Sequence, residues 1–205
     1  MMEVSLIDHM GSDLSVVNAA RVSFGKRHSK FQDKDENLIN YLAKHNHKSP
    51  FNHAFATYHV KAPVFVARQL VKHEYMPWNE ISRRYVSDEP EFYIPEEWRL
   101  KADNVKQGSS KETLELSINA AILYAAETYK RLMVAGAAPE MARMVLPQSM
   151  MTEWYWSGSL YAFAKMCGLR LKDDTQEETR RIAQQINESL SKLYPVSWQA
   201  LMKYI

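Results

Sequence analysis

The sequence predicts an α+β fold: a single domain over residues 1–205 with a small mixed or antiparallel sheet and long helices segregated from it. Two observations carry this expectation. Residues 53–61 keep the strand period, with Phe55, Thr57, His59 and Lys61 alternating with Ala54, Ala56, Tyr58 and Val60, and they are rich in β-branched and aromatic side chains. On either side, apolar residues recur at helical spacing, most clearly between 111 and 193.

Taken in order, residues 1–8 read as a short strand, and Asp13 suits the N-cap of a helix through Val16, Val17, Ala20 and Arg21. Residues 34–45 place Leu38, Ile39, Tyr41 and Leu42 on a helix that ends near the turn His45-Asn46-His47-Lys48-Ser49-Pro50. After the strand, Pro63 opens a helix through Val64, Ala67, Arg68, Leu70 and Val71, and residues 74–79, with Pro77, form a loop. Residues 96–111 are polar, contain Gly108-Ser109-Ser110, and read as a mobile connection. A long amphipathic helix then runs from about Lys111 to Val134, with Leu114, Ile118, Ala121, Ala125 and Tyr129 inward, until Gly136 stops it. A short helix near 139–144, an extended stretch at 149–156 and helices at 157–169 and 175–193 complete the chain.

The 205 residues suffice for one sizeable core. Twenty-six basic residues against 24 acidic ones leave a charge of +2, too even for a nucleic-acid binder but compatible with a local phosphate site. One cysteine, Cys167, permits no internal disulfide and no cysteine-based metal cluster, so a reducing compartment fits. The acidic start, Met1 to Asp8, lacks the basic segment of a secretory leader, and no apolar run approaches the ~20 residues that span a bilayer. A cytoplasmic protein without membrane or nucleic-acid partners is expected. His45, His47 and His53 lie close together, but no Glu or Asp completes a metal-ligand spacing, so no metal is expected, and a structural role for His53 and His59 on the strand is the simpler reading.

The densest polar cluster is Arg68-Gln69-Leu70-Val71-Lys72-His73-Glu74, followed by Asn79-Glu80-Ile81-Ser82-Arg83-Arg84-Tyr85. A hydroxyl beside two guanidinium forks, with an amide nearby, can hold a phosphate; the same composition also describes a solvated helix end. This stretch resembles the signature of the flavin-dependent thymidylate synthases: Arg-His-Arg, seven residues, then Ser. Here it stands as Lys72-His73-Glu74, Tyr75 to Ile81, Ser82, with the histidine, spacing and serine kept and both arginines replaced. Further segments resemble the family in order: Asn18–Phe24, His47–His53, Val60–Gln69, Glu91–Pro95, Ala142–Pro147, and Leu169-Arg170 with Gln176 beyond.

The resemblance implies that fold and the conversion of dUMP to dTMP, with 5,10-methylenetetrahydrofolate as carbon donor and FAD, reduced by NADPH, as hydride carrier. It assigns dUMP to Gln69, Lys72, Glu80, Ser82, Arg83 (through its backbone), Arg84, Arg143 and Arg170, in sites shared between subunits of a homotetramer. Arg170 would face the uracil and stabilise negative charge there, which makes it the choice for catalysis. FAD would fall to His47, Ser49, Lys72, His73, Glu74, Glu80, Ser159, Tyr161 and Lys165. Ser82 is a substrate ligand in this reading rather than a nucleophile, and Cys167, in the packed run Met166-Cys167-Gly168-Leu169, is not the nucleophile that flavin-independent thymidylate synthases use.

Glu74 is the sharpest departure, since a carboxylate aimed at a diphosphate repels it. Ser159, Tyr161 and Lys165 stand where the family usually has Asn, Arg and Asn, so Lys165 is expected to offset Glu74, with Tyr161 and Trp156 stacking on the adenine. Two other readings compete: a flavin- and folate-dependent pyrimidine nucleotide hydroxymethylase on the same scaffold, and an inactive nucleotide-binding relative.

Overall fold

The alternating segment becomes the second strand of a four-stranded antiparallel sheet in the computed structural model, which describes residues 1–86, 88–103 and 108–205. The first half of the chain supplies β1 (Glu3–Met10), α1 (Asp13–Arg21), α2 (Asp33–Lys44), β2 (Phe55–Pro63), α3 (Val64–Leu70) and β3 (Trp78–Glu80). The second half supplies β4 (Trp98–Lys101), β5 (Ser109–Leu114), α4 (Asn119–Val134), α5 (Pro139–Ala142), β6 (Met151–Ser159), α6 (Leu160–Arg170), α7 (Glu177–Leu193) and α8 (Pro195–Tyr204). Strand order is β1-β2-β6-β3, and β4 and β5 pair separately as a hairpin. This is the α+β class that the patterning predicts.

The period-2 pattern explains which face is covered. Ala56, Tyr58, Val60 and Ala62 of β2 are buried, and across the ladder Trp156 opposes Tyr58 while Trp154 opposes Val60. Phe163 of α6 sets its ring edge against both Tyr58 and Trp156 at 5.4 Å between centroids. Beside Trp156, Gly158 is required for space, because a Cβ there would lie 3.0 Å from Met76 and 3.2 Å from Phe163. The helices close over this face: Ile182, Ile186 and Leu190 form the buried stripe of α7, and the Tyr58 hydroxyl donates to Ser189 Oγ at 3.0 Å. Arg21 and His28 hold the fully buried Asp35, at 2.6 and 3.1 Å, so the arginine of the Asn18–Phe24 segment serves the core.

Several expectations need correction. Asp13 does not cap α1. Ser12 takes that N-cap position, and the Asp13 carboxylate instead accepts from the backbone N–H groups of Val196 and Ser197, capping α8. The α8 helix lies beyond the predicted elements, although Pro195 at its first position is a start signal. The loop at 74–79 ends early, because Trp78–Glu80 adds to β6 as an edge strand. His53 lies in a 3-10 turn before β2; His59 is on the strand, 3.0 Å from Glu153.

The largest error concerns 96–114. Trp98 pairs with Leu114 and Lys101 with Ser109, so the expected connection and the first turns of the expected helix are a hairpin. Residues 104–107 of that connection lie outside the described residues. Helix α4 starts only at Asn119 and buries Ile122 and Tyr129, while Leu114, at the hairpin, is exposed. The remaining boundaries shift by a few residues; β6, for example, keeps residues 157–159, which the pattern assigns to α6.

Candidate active site

The Lys72-His73-Glu74 triplet follows α3, whose helical hydrogen bonding ends when Val71 N bonds Ala67 O. Its residues border two cavities. The larger, about 880 Å³, is lined by Gln69, Lys72 and Arg170 together with Phe65, Tyr93, Trp98, Arg99, Gln176 and Glu178. The second, about 680 Å³, is lined by Lys72, His73, Glu74, Ser159, Tyr161 and Lys165, together with Lys48 and Asn52. Lys72 borders both.

Arg170, in the last turn of α6, is fixed on two sides. Its Nε donates to His73 Nε2 at 3.1 Å and its Nη2 to the Gln69 carbonyl at 2.8 Å. Those bonds use two of the five guanidinium N–H groups and leave donors for a ligand in the larger cavity. Burial lowers the Arg170 pKa, yet an arginine stays charged across the working range. His73 is driven down to about 4, first by burial and then by the Arg170 and Lys165 charges. A neutral ring whose Nε2 accepts from Arg170 carries its proton on Nδ1.

A sign follows from that depression. The folded state resists a proton that the unfolded chain takes up near 6.5, so this group's effect on stability is neutral above that pH and increasingly unfavourable as pH falls toward about 4. Replacing Arg170 by alanine removes one of those causes, so the His73 midpoint in a proton NMR titration is expected to rise; an unmoved midpoint would show that the two are not coupled.

Around the larger cavity, Glu178 is almost fully buried and anchors the hairpin. It accepts two bonds from Arg99 Nη2, at 2.6 and 2.8 Å, and one from the Tyr93 hydroxyl at 3.1 Å. Burial raises the Glu178 pKa, but the Arg99 bonds outweigh it and hold the carboxyl below its ordinary value. Burial and then Glu178 push Tyr93 up to about 12. Gln69 is turned by Gln176, whose Oε1 accepts from its Nε2 at 2.6 Å.

The second cavity lies where the turn after α2 meets the start of α6. Ser159 caps α6, accepting from Ala162 N at 3.2 Å and donating to Asn52 at 2.7 Å. Tyr161 donates to Asn46 Oδ1 at 3.1 Å, and Lys48 Nζ lies 5.6 Å from the Tyr161 ring centre. Trp156 is fully buried in the core, so the expected stacking of Trp156 on an adenine is excluded; Tyr161 remains placed for it.

The other candidate residues lie apart from both cavities. Glu80 accepts from Thr152 at 2.7 Å and Trp78 at 3.0 Å, and Ser82 Oγ accepts from the backbone and Nε of Arg84 at 3.3 and 3.2 Å. Arg83 donates to the Asp88 carbonyl, Arg84 lies over Tyr85, and Arg143 is exposed on a 3-10 turn after α5. His47 and Ser49 sit on the exposed turn after α2, the His47 ring against Tyr41. Cys167 is fully buried and burial pushes its thiol up, which removes it as a nucleophile. Sequence reasoning passes over Lys48, Asn52, Tyr93, Arg99 and Glu178. Lys48, Asn52 and Tyr93 carry a signal, since they fall inside the His47–His53 and Glu91–Pro95 segments, whereas Arg99 and Glu178 carry none.

The sequence matches the family described as thymidylate synthase complementing protein over residues 5–196. A flavin-dependent thymidylate synthase of Thermus thermophilus is 40% identical over 206 residues, covering 98% of this chain and 76% of the relative. That of Thermosipho africanus is 39% identical over 207 residues, covering 97% of this chain and 90% of the relative. Among solved structures, a UMP/dUMP methylase from Streptomyces cacaoi, bound with 5-Br dUMP, is similar with a TM-score of 0.88 and 31% identity, covering 100% of this chain and 96% of that one.

Proposed function

Since the chain belongs to the thymidylate synthase complementing protein family, the flavin-dependent thymidylate synthases, we propose that it converts dUMP to dTMP, taking the carbon from 5,10-methylenetetrahydrofolate and reducing equivalents from NADPH through FAD. One observation carries the reading. The cavity holding Gln69 and Arg170 and the cavity holding the flavin candidates meet at Lys72 and are joined by the His73–Arg170 hydrogen bond.

Gln69, Lys72 and Arg170 would hold dUMP, and the second cavity would hold FAD. The residues there fit a flavin dinucleotide: lysines for the diphosphate and Tyr161 as a stacking face. When bound, the flavin supplies the hydride that neither a side chain nor the folate delivers. Arg170 stabilises negative charge on the uracil as C5 becomes nucleophilic, and His73 and the Gln69 carbonyl hold the guanidinium in place before the charge develops. The test is the product formed from dUMP with the folate, NADPH and FAD. A mass gain of CH2 supports the reading, whereas a gain of CH2O would replace it with the hydroxymethylase and no product with the inactive relative. UMP is run in parallel, because the Streptomyces relative is named for both nucleotides.

Glu80, Ser82, Arg83, Arg84 and Arg143 complete the nucleotide site of a neighbouring subunit in a cytoplasmic homotetramer. Two observations support this: these residues line neither cavity, and α4 leaves Leu123, Tyr124 and Val134 exposed. No helix among the described residues is long and apolar enough to cross a membrane. Arg84→Ala and Arg170→Ala proteins, each weak alone, are expected to regain activity when their subunits are mixed, since some mixed sites carry neither substitution. Failure to recover in mixtures shown to exchange subunits would sink the shared site.

A further inference from the structure

The family resemblance gives Lys48 no role, and the structure does. The second cavity is lined by three lysines from separate parts of the chain: Lys48 after α2, Lys72 after α3 and Lys165 on α6. None of the three has an ion-pair partner among the described residues, and the single carboxylate beside them is Glu74. Three ammonium groups less one carboxylate leave a local charge of two positive units, while His73 is neutral at working pH. Unpaired like charges gathered on one concave surface repel one another, so they raise the free energy of the empty cavity and favour an anion in it.

Lys48 is held in place rather than merely nearby. On one side of it Asn46 is bonded to Tyr161, and on the other Asn52 is bonded to Ser159, so the turn is fastened to the first turn of α6 at both ends. Asn46 adopts the left-handed conformation, φ 55°, that lets the chain leave α2 and run back toward α6. The Lys48 ammonium then reaches the Tyr161 ring at the cavity wall.

We infer that Lys48 is a ligand of the FAD diphosphate and that, with Lys72 and Lys165, it forms a cradle of point charges in place of the family's arginine forks. The inference rests on the proposed function, because it takes the anion to be the flavin's. Two negative charges on the diphosphate match the two positive units around it. Glu74 is tolerated because a third lysine offsets it.

The full-length protein, freed of flavin, is titrated with FAD and separately with riboflavin, which has the ring but no phosphate, and flavin fluorescence is followed. Lys48→Ala is expected to weaken FAD binding about tenfold and to leave riboflavin unchanged, the size of one charge-assisted contact. Lys48→Arg should keep FAD affinity, and Glu74→Gln should tighten it. Added salt should weaken wild-type FAD binding more steeply than that of Lys48→Ala. Unchanged FAD affinity in Lys48→Ala overturns the inference and leaves the proposed function standing. An equal loss for riboflavin also overturns it, since Lys48 would then be shaping the pocket rather than meeting the phosphates. A wild-type protein that takes up neither ligand removes the functional reading and the inference with it.

Discussion

Arg170→Ala is expected to lower kcat for dUMP methylation by about 10²–10³-fold, the usual cost of removing a preorganised donor aimed at developing charge. The guanidinium already has two of its N–H groups committed to His73 and the Gln69 carbonyl, so its direction is set before substrate arrives. That arrangement predicts a split between constants. Ground-state uracil carries little charge, so dUMP affinity should fall much less than kcat. Arg170→Lys should recover little, because one ammonium cannot bond His73 and the Gln69 carbonyl while still presenting a planar fork. Single-turnover kinetics with dUMP binding measured separately checks both. A mutant that loses affinity and retains kcat would make Arg170 a binding residue only.

The His73–Arg170 bond also shows how far the sequence can be read. The triplet around His73 is visible as chemistry, and the family likeness leads to the expectation of a flavin site there. What the sequence does not show is that the imidazole also faces Arg170, 97 positions away, so that one residue serves both cavities. Local periodicity is sufficient for β2, α3 and α7, where neighbouring residues set the period and the buried face. It fails where distant partners decide. Residues 109–110 read as part of a connection and 111–114 as the first turn of a helix, but pairing with β4 makes them all one strand. Asp13 has the right residue type for a local cap, and it caps a helix 183 positions away instead. At the candidate site the same division holds: Arg170 and Gln69 are legible from a motif, while Arg99 and Glu178 acquire meaning only when the hairpin folds onto α7.

That hairpin is the basis of the second large effect. Arg99→Ala is expected to destabilise the protein at neutral pH by about 3–5 kcal/mol, the cost of leaving a buried carboxylate without its partner. For a chain of this length that corresponds to a Tm lower by roughly 10 °C. Glu178 has 3% of its side chain exposed against 22% for Arg99, so it is the glutamate that bears the desolvation cost alone once the guanidinium is gone. The pH dependence separates this cause from simple loss of packing. In the wild type the Glu178 pKa is held below its ordinary value, so its contribution is present above the unfolded value, near 4.3 for a free glutamate, and is lost as pH falls through the folded one. In Arg99→Ala, burial acts without the arginine, the pKa rises, and the neutral acid becomes the better-tolerated form. The gap in Tm between the two proteins should therefore narrow as pH drops toward about 4 and be widest near 7. The paired change Arg99→Met with Glu178→Leu should recover most of the stability, because it removes both charges together. Because β4 and β5 wall the larger cavity, that stable double variant should still lose dUMP affinity, having lost the latch that holds Trp98 and Ser109 at the cavity rim. An Arg99→Ala protein with unchanged Tm and unchanged protease sensitivity at the hairpin would show that the ion pair carries none of this.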